Sequence, residues 1–498
     1  MELQFNKNEI GCLRTLVDQN NSQELTQEVR LLDGMPDIGK ILGCWGQTVI
    51  RGKEWRSDEM SAGGGIMAWA LYEPEEGGEV QCLETWLPFQ GKWDLPETQH
   101  DGIMILKPCI TSMDCRSTNA RKIMFRCCID LQAQAYEPVK HSLYEAETVP
   151  PDVQLLKKTY PMELPKEAGE KAFEIRETML ADSAAADIAK ILYYQLIPLL
   201  NEYKVMADKL VFRGKCLWNL LYMDPDGKIK NANSEFPFSQ FAELSDTYGN
   251  HASAGVDLIL TGVELDKTED GKQEIRCGMA AQYMIFDREM VTVVEDGYST
   301  ERNCELEKEM LVLPSRLDVR KDQLPYRHEI NADVSSLVDS AVYWSNPKVE
   351  HTHEGASIHV GAFANLLYLD EDGNLSGVQD KWSDSRSLST DDHTALQVRL
   401  TEETPVALNG PDGVTLSSNL QMEISAFSKE EIPMITGMTL GDTRQKEEDR
   451  PSVILRKMGD EDIWNIAKAY HTTVQAIENA NPLSEDISSE SILLIPVS

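Results

Sequence analysis

The stretch that decides the fold is R-G-K-C-L-W-N-L-L-Y at residues 213–222, followed by E-F-P-F at 235–238. Its landmarks occur three times along the chain. A Leu-Tyr pair ends at Tyr72, Tyr222 and Tyr368, and an aromatic residue follows each tyrosine 14 residues later, namely Trp86, Phe236 and Trp382. Successive copies are 150 and then 146 residues apart. Recurrence at a nearly fixed spacing is typical of tandem structural units, so we predict three copies of one domain.

A third landmark precedes each tyrosine by 35 residues: Asp37-Ile38, Asp187-Ile188 and Asp333-Val334. In the first copy this pair lies inside Gly34–Lys40, whose glycine and lysine spacing is that of a phosphate-binding loop. In a phosphate-binding loop the residue after the lysine is Ser or Thr, which binds the magnesium ion, but here Ile41 follows. The other two copies also lack the glycines. We therefore interpret this segment as part of the repeat.

Composition limits the class of protein and of partner. The chain has 498 residues with 41% hydrophobic and 26% charged residues, enough for each repeat to bury a core. The net charge of −36 argues against nucleic acid and against an anionic membrane surface as partners. No apolar run approaches the ~18 residues of a membrane span, and the N-terminus has no signal-peptide pattern. We therefore expect no membrane insertion.

The ten cysteines include no C-x-x-C pair. They predict reduced, buried thiols and a cytosolic compartment.

Short apolar segments recur about every ten residues with turn signals between them, such as Asp224-Pro225-Asp226-Gly227 and Asp370-Glu371-Asp372-Gly373. This pattern predicts a mainly β protein of antiparallel, sandwich-like units arranged as an elongated body. We place the units at 1–160, 161–306 and 307–447. The first 34 residues are expected to form an unplaced N-terminal arm, Glu167–Leu180 a short helix, and the prolines between 150 and 165 an interruption between units.

No motif in the chain predicts catalysis convincingly. His351, His353, Glu354 and His359 have the spacing for a metal site on a strand, but a surface loop or sheet edge explains them better. We find no nucleophile elbow, no zinc-protease motif and no dinucleotide fingerprint. The sequence thus predicts neither an enzyme nor a cofactor or metal.

The tail, residues 450–498, differs from the repeats. A strand precedes Glu461–Thr472, where Ile463, Ile466, Ala467 and Tyr470 have helical spacing. Thr473 starts a second helix, and a strand ends the chain. The order β-α-α-β predicts a small separate α+β domain.

The tail resembles the LysM domain in its Gly-Asp at 459–460, I-W-N-I-A-K-A-Y at 463–470, T-V-Q-A-I at 473–477, Asn481 and L-I-P at 494–496. Most LysM domains bind N-acetylglucosamine polymers through two loops. The resemblance therefore implies contacts with glycan or partner at Gly459, Asp460, Asp462, Ile463, Trp464, Asn481, Pro482 and Leu483. Both loops depart from the family pattern, at Asp460-Glu461-Asp462 and at Glu490-Ser491, and Trp464 is compatible with core packing or surface contact.

The segments R-G-K-C-L-W-N-L-L-Y, E-F-P-F-S-Q-F and D-G-Y-S-T-E resemble the SPOCS domain. Tandem SPOCS repeats followed by LysM resemble the spore-coat morphogenetic proteins of the SipL type in endospore-forming bacteria. The resemblance implies a non-enzymatic scaffold in the mother-cell cytoplasm at the forespore surface. It also implies that the LysM domain binds the ATPase of the coat's basement layer. The alternative is a peptidoglycan-binding protein that uses the LysM loops.

Overall fold

The secondary structure is mainly antiparallel β, which confirms the predicted fold class at that level. The computed structural model describes residues 2–96, 102–178, 188–267, 273–352, 355–390, 394–402, 405–410, 413–445, 451–457, 461–481 and 492–497. Within these ranges the helices are α1 (Ile463–Tyr470) and α2 (Val474–Ala480), both in the tail.

The first unit consists of two sheets that face each other. Its strands are β1 (Glu2–Leu3), β2 (Phe5–Arg30), β3 (Ile38–Trp55), β4 (Glu59–Pro74), β5 (Gln81–Asp94), β6 (Ile103–Asn119) and β7 (Lys122–Ala146). One sheet has the order β3-β4-β5 and the other β2-β7-β6, with a buried apolar core between them. The unit is therefore sandwich-like.

The second unit follows the same plan. Its strands are β8 (Val153–Thr178), β9 (Lys190–Met223), β10 (Ile229–Tyr248), β11 (Ser253–Lys267) and β12 (Gln273–Ser299). The order β11-β12-β8 corresponds to the second sheet of unit 1. The long β9 folds back on itself, because the backbone N–H of Ala189 donates to the carbonyl of Met223 at 2.9 Å. Its two halves thus take the places of β3 and β4.

The third unit repeats the plan with more interruptions. Its strands are β13 (Arg302–Asn331), β14 (Ser336–Trp344), β15 (Lys348–Thr352), β16 (Gly355–Leu369), β17 (Leu375–Leu388), β18 (Ala395–Glu402), β19 (Val406–Gly410) and β20 (Gly413–Thr443). β16 pairs with β14, β15 and β17, and β20 pairs with β13, β18 and β19. The strands thus recur at the spacing of the sequence landmarks. The unit limits at 160, 306 and 447 remain a prediction.

The residues of the quoted stretch have identifiable packing roles. Gly214 lies directly across the strand pair from Phe238, and a Cβ on Gly214 would lie 2.5 Å from the phenylalanine ring. Gly64 and Phe89 form the same pair in unit 1. An aromatic ring that covers a cross-strand glycine helps to fix register. The R-G-K and E-F-P-F segments are therefore two sides of one cross-strand contact.

The predicted turns are confirmed. The Asp224 carboxylate accepts hydrogen bonds from the backbone N–H groups of Asp226 and Lys228, at 3.0 and 2.8 Å. Asp370 accepts the equivalent pair in unit 3 at the same two distances. Gly227 and Gly373 both have φ of 80°, which a glycine adopts without strain. These motifs are hairpin turns.

Two local predictions are wrong, and in both cases strand pairing decided otherwise. The first 34 residues do not form an unplaced arm, because β2 pairs with β7 along nearly its full length. Glu167–Thr178 is not a helix but the second half of β8, which pairs with β12; 179 and 180 lie outside the described residues. Helix-forming side chains there are outweighed by the cross-strand contacts of a long partner.

Two-stranded antiparallel ladders continue from one sheet of each unit, and we call them the three legs: residues 5–15 with 136–146, 153–165 with 286–299, and 302–316 with 427–443. Each leg begins at a β-bulge, where the strand register skips Leu16, Lys166 or Leu317. A bulge bends a strand pair, and beyond the bulges the side chains form a core separate from those of the sandwiches. The legs pack together through a core that includes Ile10, Leu164, Val293, Leu313 and Ile432.

Of the prolines that we interpreted as an interruption, Pro150 and Pro151 lie between β7 and β8 and do separate two strands, whereas Pro161 and Pro165 lie inside β8. Pro161 pairs with Met290, and Pro165 pairs with Phe286, which begins the leg portion of β12. Pro138 and Pro433 occupy strands of the other two legs. Proline is tolerated on a strand whose N–H side needs no partner, and it discourages pairing with foreign strands. The prolines therefore suit the legs, which consist of two strands each apart from the short pairing of β1 with β20 at Met438 and Thr439.

The units contact each other in a closed ring, so the expected elongated body is wrong. Unit 2 contacts unit 1 where Lys190 donates to the side-chain oxygen of Gln81 at 2.8 Å. Unit 1 contacts unit 3 where Lys40 donates to the Ser376 hydroxyl at 3.0 Å. Asn231 of unit 2 donates to Asp339 of unit 3 and closes the ring. Lys40 is also the lysine of the phosphate-loop-like segment, so its position is explained by an inter-unit contact.

An aromatic core joins the units at the centre of the ring. Along β4, Ile66, Ala68, Ala70 and Tyr72 face the core of unit 1, whereas Trp69 and Leu71 face the shared core. The Tyr193 ring of unit 2 stacks on Trp45 of unit 1 at 4.7 Å, and its hydroxyl donates to Asp339 of unit 3. Tyr193 therefore touches all three units.

Asp339 is a buried carboxylic acid beside this shared core. It is buried and accepts hydrogen bonds from Tyr193 and Asn231. Burial raises the pKa of Asp339 from 3.8 to about 6, and the two hydrogen bonds offset only part of that increase. Between pH ~4 and ~6 the folded protein therefore holds a proton that the unfolded chain has released.

We predict that Asp339 makes stability fall as pH rises through this window. The free energy of unfolding of the wild type minus that of Asp339→Asn should fall between pH 4 and pH 7, by at most about 3 kcal/mol. Urea unfolding of both proteins at several pH values measures this difference. The control Asp372→Asn, in an exposed turn, should stay within ~0.5 kcal/mol of wild type. A difference between wild type and Asp339→Asn that does not change with pH would contradict the prediction.

Candidate functional site

The described part of the tail has the predicted order of strand, helix, helix and strand. β21 (Val453–Lys457) pairs with β22 (Ile492–Pro496) in antiparallel register, and α1 and α2 lie between them in sequence. The helices pack on one face of this two-stranded sheet, with a core of buried apolar side chains: Ile466, Ala467, Ile477, Leu493 and Ile495. The resemblance of the tail to LysM remains a prediction.

Two of the predicted site residues hold the tail together. The Asp462 carboxylate caps α1 by accepting the backbone N–H of Asn465 at 2.8 Å. The Asn481 amide donates to the carbonyls of Ile477 and Leu494, and its oxygen accepts the N–H of Leu494. Asn481 thus ties the end of α2 to β22. Both residues have structural roles that follow from helix-end hydrogen bonding.

Trp464 lies at a contact between the tail and the second leg. Its indole N–H donates to the Asp296 carboxylate at 3.0 Å, and Lys468 donates to the same oxygen at 2.5 Å. The Trp464 ring meets Tyr298 edge-on, with centroids 4.9 Å apart. The two groups that face Asp296 are one turn apart on α1, so a single helix face makes the contact.

Tyr298 supplies the apolar part of the same contact. It is buried within the tail core, and its hydroxyl donates to the carbonyl of Thr472 at 2.8 Å. Burial raises the pKa of Tyr298 to about 12, so it remains a donor at neutral pH. Burial alone would raise the pKa of Asp296, but the bonds from Lys468 and Trp464 keep it below its usual 3.8. Asp296 and Tyr298 belong to D-G-Y-S-T-E, so that segment acts as the receptor for the tail.

The structure therefore gives four of the predicted site residues intramolecular contacts. Ile463 packs against the tail core, and Trp464, Asp462 and Asn481 have the partners just described. Gly459, Asp460, Pro482 and Leu483 lie outside the described residues. A role of these eight residues in binding glycan or protein remains a prediction.

The sequence interpretation missed the outer face of the tail sheet. Large apolar side chains stand exposed there, opposite the helices: Val453, Leu455, Ile492 and Leu494. A usable signal was present, because V-I-L and I-L-L-I are apolar at consecutive positions. Consecutive apolar residues in a strand predict that both faces need cover, and the helices cover only one.

A charged cluster lies where the third strands of the second sheets converge. Lys107, Asp257 and Arg399 are the fifth residues of β6, β11 and β18, respectively. Lys107 and Arg399 both contact the Asp257 carboxylate at 3.1 Å, and Arg399 also contacts Glu423 at 3.2 Å. Burial lowers the pKa of Lys107, whereas both cations keep the pKa of Asp257 below its usual value despite its burial.

The cluster borders a cavity of about 550 Å³. The Tyr203 hydroxyl of unit 2 donates to Glu423 of unit 3 at 2.7 Å. Because these charges pair with one another across all three units, we interpret the cluster as an inter-unit joint.

The other sequence motifs can be located in the structure in part. The backbone N–H groups of Met35 and Ile38 donate to Leu32 and Ala120, so the phosphate-loop-like segment has already used these donors. His353 and Glu354 lie outside the described residues, and no group of three metal-ligating side chains occurs within the described part. All ten cysteines are free, and six of them are buried. No described helix has the length and hydropathy to cross a membrane.

Comparison with known proteins supports one family assignment within unit 2. A family model described as SipL, SPOCS domain, matches residues 187–267, about a sixth of the chain. The matched range contains the quoted stretch and the strands β9, β10 and β11. The match supports a SipL-like sporulation protein with a role related to the spore coat. No curated protein and no solved structure matches the chain.

We predict that Asp296 holds the tail on the second leg. Asp296→Ala leaves the Trp464 indole N–H without its acceptor, so docking should weaken by about 1–3 kcal/mol. Hydrogen exchange in residues 463–470 should accelerate, while exchange in the legs stays near wild type. Trp464→Phe keeps the ring edge on Tyr298 and should have a smaller effect. Asp442→Ala, an exposed position on the third leg, serves as the control. Unchanged exchange in Asp296→Ala would contradict this docking.

Proposed function

We propose that the protein is a non-enzymatic adaptor in spore-coat assembly. It acts in the mother-cell cytoplasm at the forespore surface and binds the ATPase that forms the coat's basement layer. The observation that carries the proposal is the SPOCS match at 187–267, in the unit whose strand plan recurs in the other two. The activity that this match supports, a role related to the spore coat, is compatible with a scaffold.

The closed ring of units supports a scaffold in a second way. Polar contacts between units are made by specific pairs, such as Lys190 with Gln81 and Lys40 with Ser376. A body of three joined units offers several outward surfaces in fixed relative positions. Weak contacts on such surfaces add up through effective concentration, which favours multivalent assembly on a polymerised partner layer.

The docking of the tail favours a protein partner over glycan. Trp464, which the LysM resemblance assigned to glycan or partner contact, uses its indole N–H and one ring edge within the chain. The acidic residues of the first loop also depart from the glycan-binding pattern. The exposed apolar side chains of the tail sheet suit protein more than a hydroxyl-rich polysaccharide.

We expect the purified full chain to bind the purified basement-layer ATPase and to remain in the supernatant with purified peptidoglycan. Calorimetry or biolayer interferometry measures the first, and co-pelleting measures the second. A glycan-binding LysM protein serves as the positive control for pelleting.

Pelleting of the chain with peptidoglycan, together with no binding to the ATPase, would favour the glycan-binding alternative. Binding to neither would overturn the adaptor proposal as well.

A further inference from the structure

The outer face of the tail sheet forms one continuous apolar patch. Val453 and Leu455 on β21 are 50% and 68% exposed, and Ile492 and Leu494 on β22 are 67% and 40% exposed. Leu455 lies directly opposite Leu494, and Lys457 lies opposite Ile492. Cross-strand neighbours on one face are in side-chain contact range, so the four apolar residues adjoin. We call them the outer patch.

Folding of the tail does not require the outer patch. The inner face of the same strands, with Leu493 and Ile495 fully buried, already forms the core with the helices. An antiparallel sheet covered on one side ordinarily carries polar side chains on the other. Contiguous exposed apolar side chains, in contrast, mark surfaces for interaction.

The docking of the tail leaves the outer patch accessible. The second leg is contacted through α1, at Trp464 and Lys468, and through the carbonyl of Thr472. Those groups belong to the helical side of the tail. The patch therefore faces away from the body while the tail is held in place.

We infer that the outer patch is the surface through which the tail holds its protein partner, which meets it with an apolar segment flanked by a carboxylate. This inference rests on the proposed adaptor function. Charge is the reason for the carboxylate. Within the described residues of β21 and β22, Lys457 is the charged side chain on this face and no acidic side chain shares the face with it, although the chain has 83 acidic and 47 basic residues.

A second copy of the chain fits the outer patch poorly. Two copies would bring together bodies with a net charge of −36 each. Packing the same face against itself also offers Lys457 no carboxylate from that face.

The test compares two identical substitutions at equally exposed leucines in the full chain. Leu455→Ser lies in the outer patch, and Leu32→Ser lies in unit 1, where the leucine is 69% exposed. We expect Leu455→Ser to weaken binding to the purified basement-layer ATPase at least about tenfold, because central apolar contacts dominate an interface. Leu32→Ser should bind as wild type does. Lys457→Glu should weaken binding several-fold, and less so at high salt.

Each outcome decides the inference. Both serine variants should keep the wild-type unfolding midpoint, since exposed substitutions rarely alter stability. If the wild type binds the ATPase and Leu455→Ser binds it no more weakly than Leu32→Ser does, the role of the outer patch would be overturned. The adaptor function would still stand. A wild-type chain that fails to bind the ATPase would overturn both. Self-association of the wild type that Leu455→Ser abolishes would also overturn the inference, because a second copy would then cover the patch.

Discussion

The structure depends on sheets that are apolar on both faces. In β4, alternate residues fill the core of unit 1, while Trp69 and Leu71 between them face the neighbouring units. One sandwich buries only one of these faces, so the other is buried when the three units close into a ring. Hydrophobic burial of this second face is the main stabilising term available to the ring. Tyr193 lies at the centre of the ring, where it stacks on Trp45 and its hydroxyl donates a hydrogen bond to Asp339.

The closed ring determines where the other parts of the molecule lie. Because the sandwiches are held side by side, the strand pairs that continue beyond the equivalent bulges meet as three legs with a common core. The second leg then presents Asp296 and Tyr298 to α1 of the tail. This contact buries one face of α1. The face of the tail sheet that lies opposite the helices remains exposed. The orientation of the tail is thus a consequence of the body.

Much of the local structure was predictable, because it depends on neighbouring residues. The turns at Asp224 and Asp370 follow from aspartate and glycine at fixed positions. Thr473 caps α2, as expected for a hydroxyl side chain directly before the first helical residue. Local preference failed in β8, where helix-forming residues pair with β12 about 100 residues away. For the candidate site, the sequence located the tail and Trp464 and left open whether that side chain packs internally or meets a partner, whereas its acceptor Asp296 was not predicted.

By itself, the sequence determined the mainly β character of the chain, the hairpin turns at Asp224 and Asp370, and the order of strand, helix, helix and strand in the tail. Each of these is encoded by spacing and by short-range side-chain chemistry. The tertiary structure alone decided that the units close into a ring, that Lys40 joins unit 1 to unit 3, and that Trp464 faces the second leg. These contacts join residues more than 100 positions apart, and their energies depend on which surfaces remain to be buried once each unit has formed.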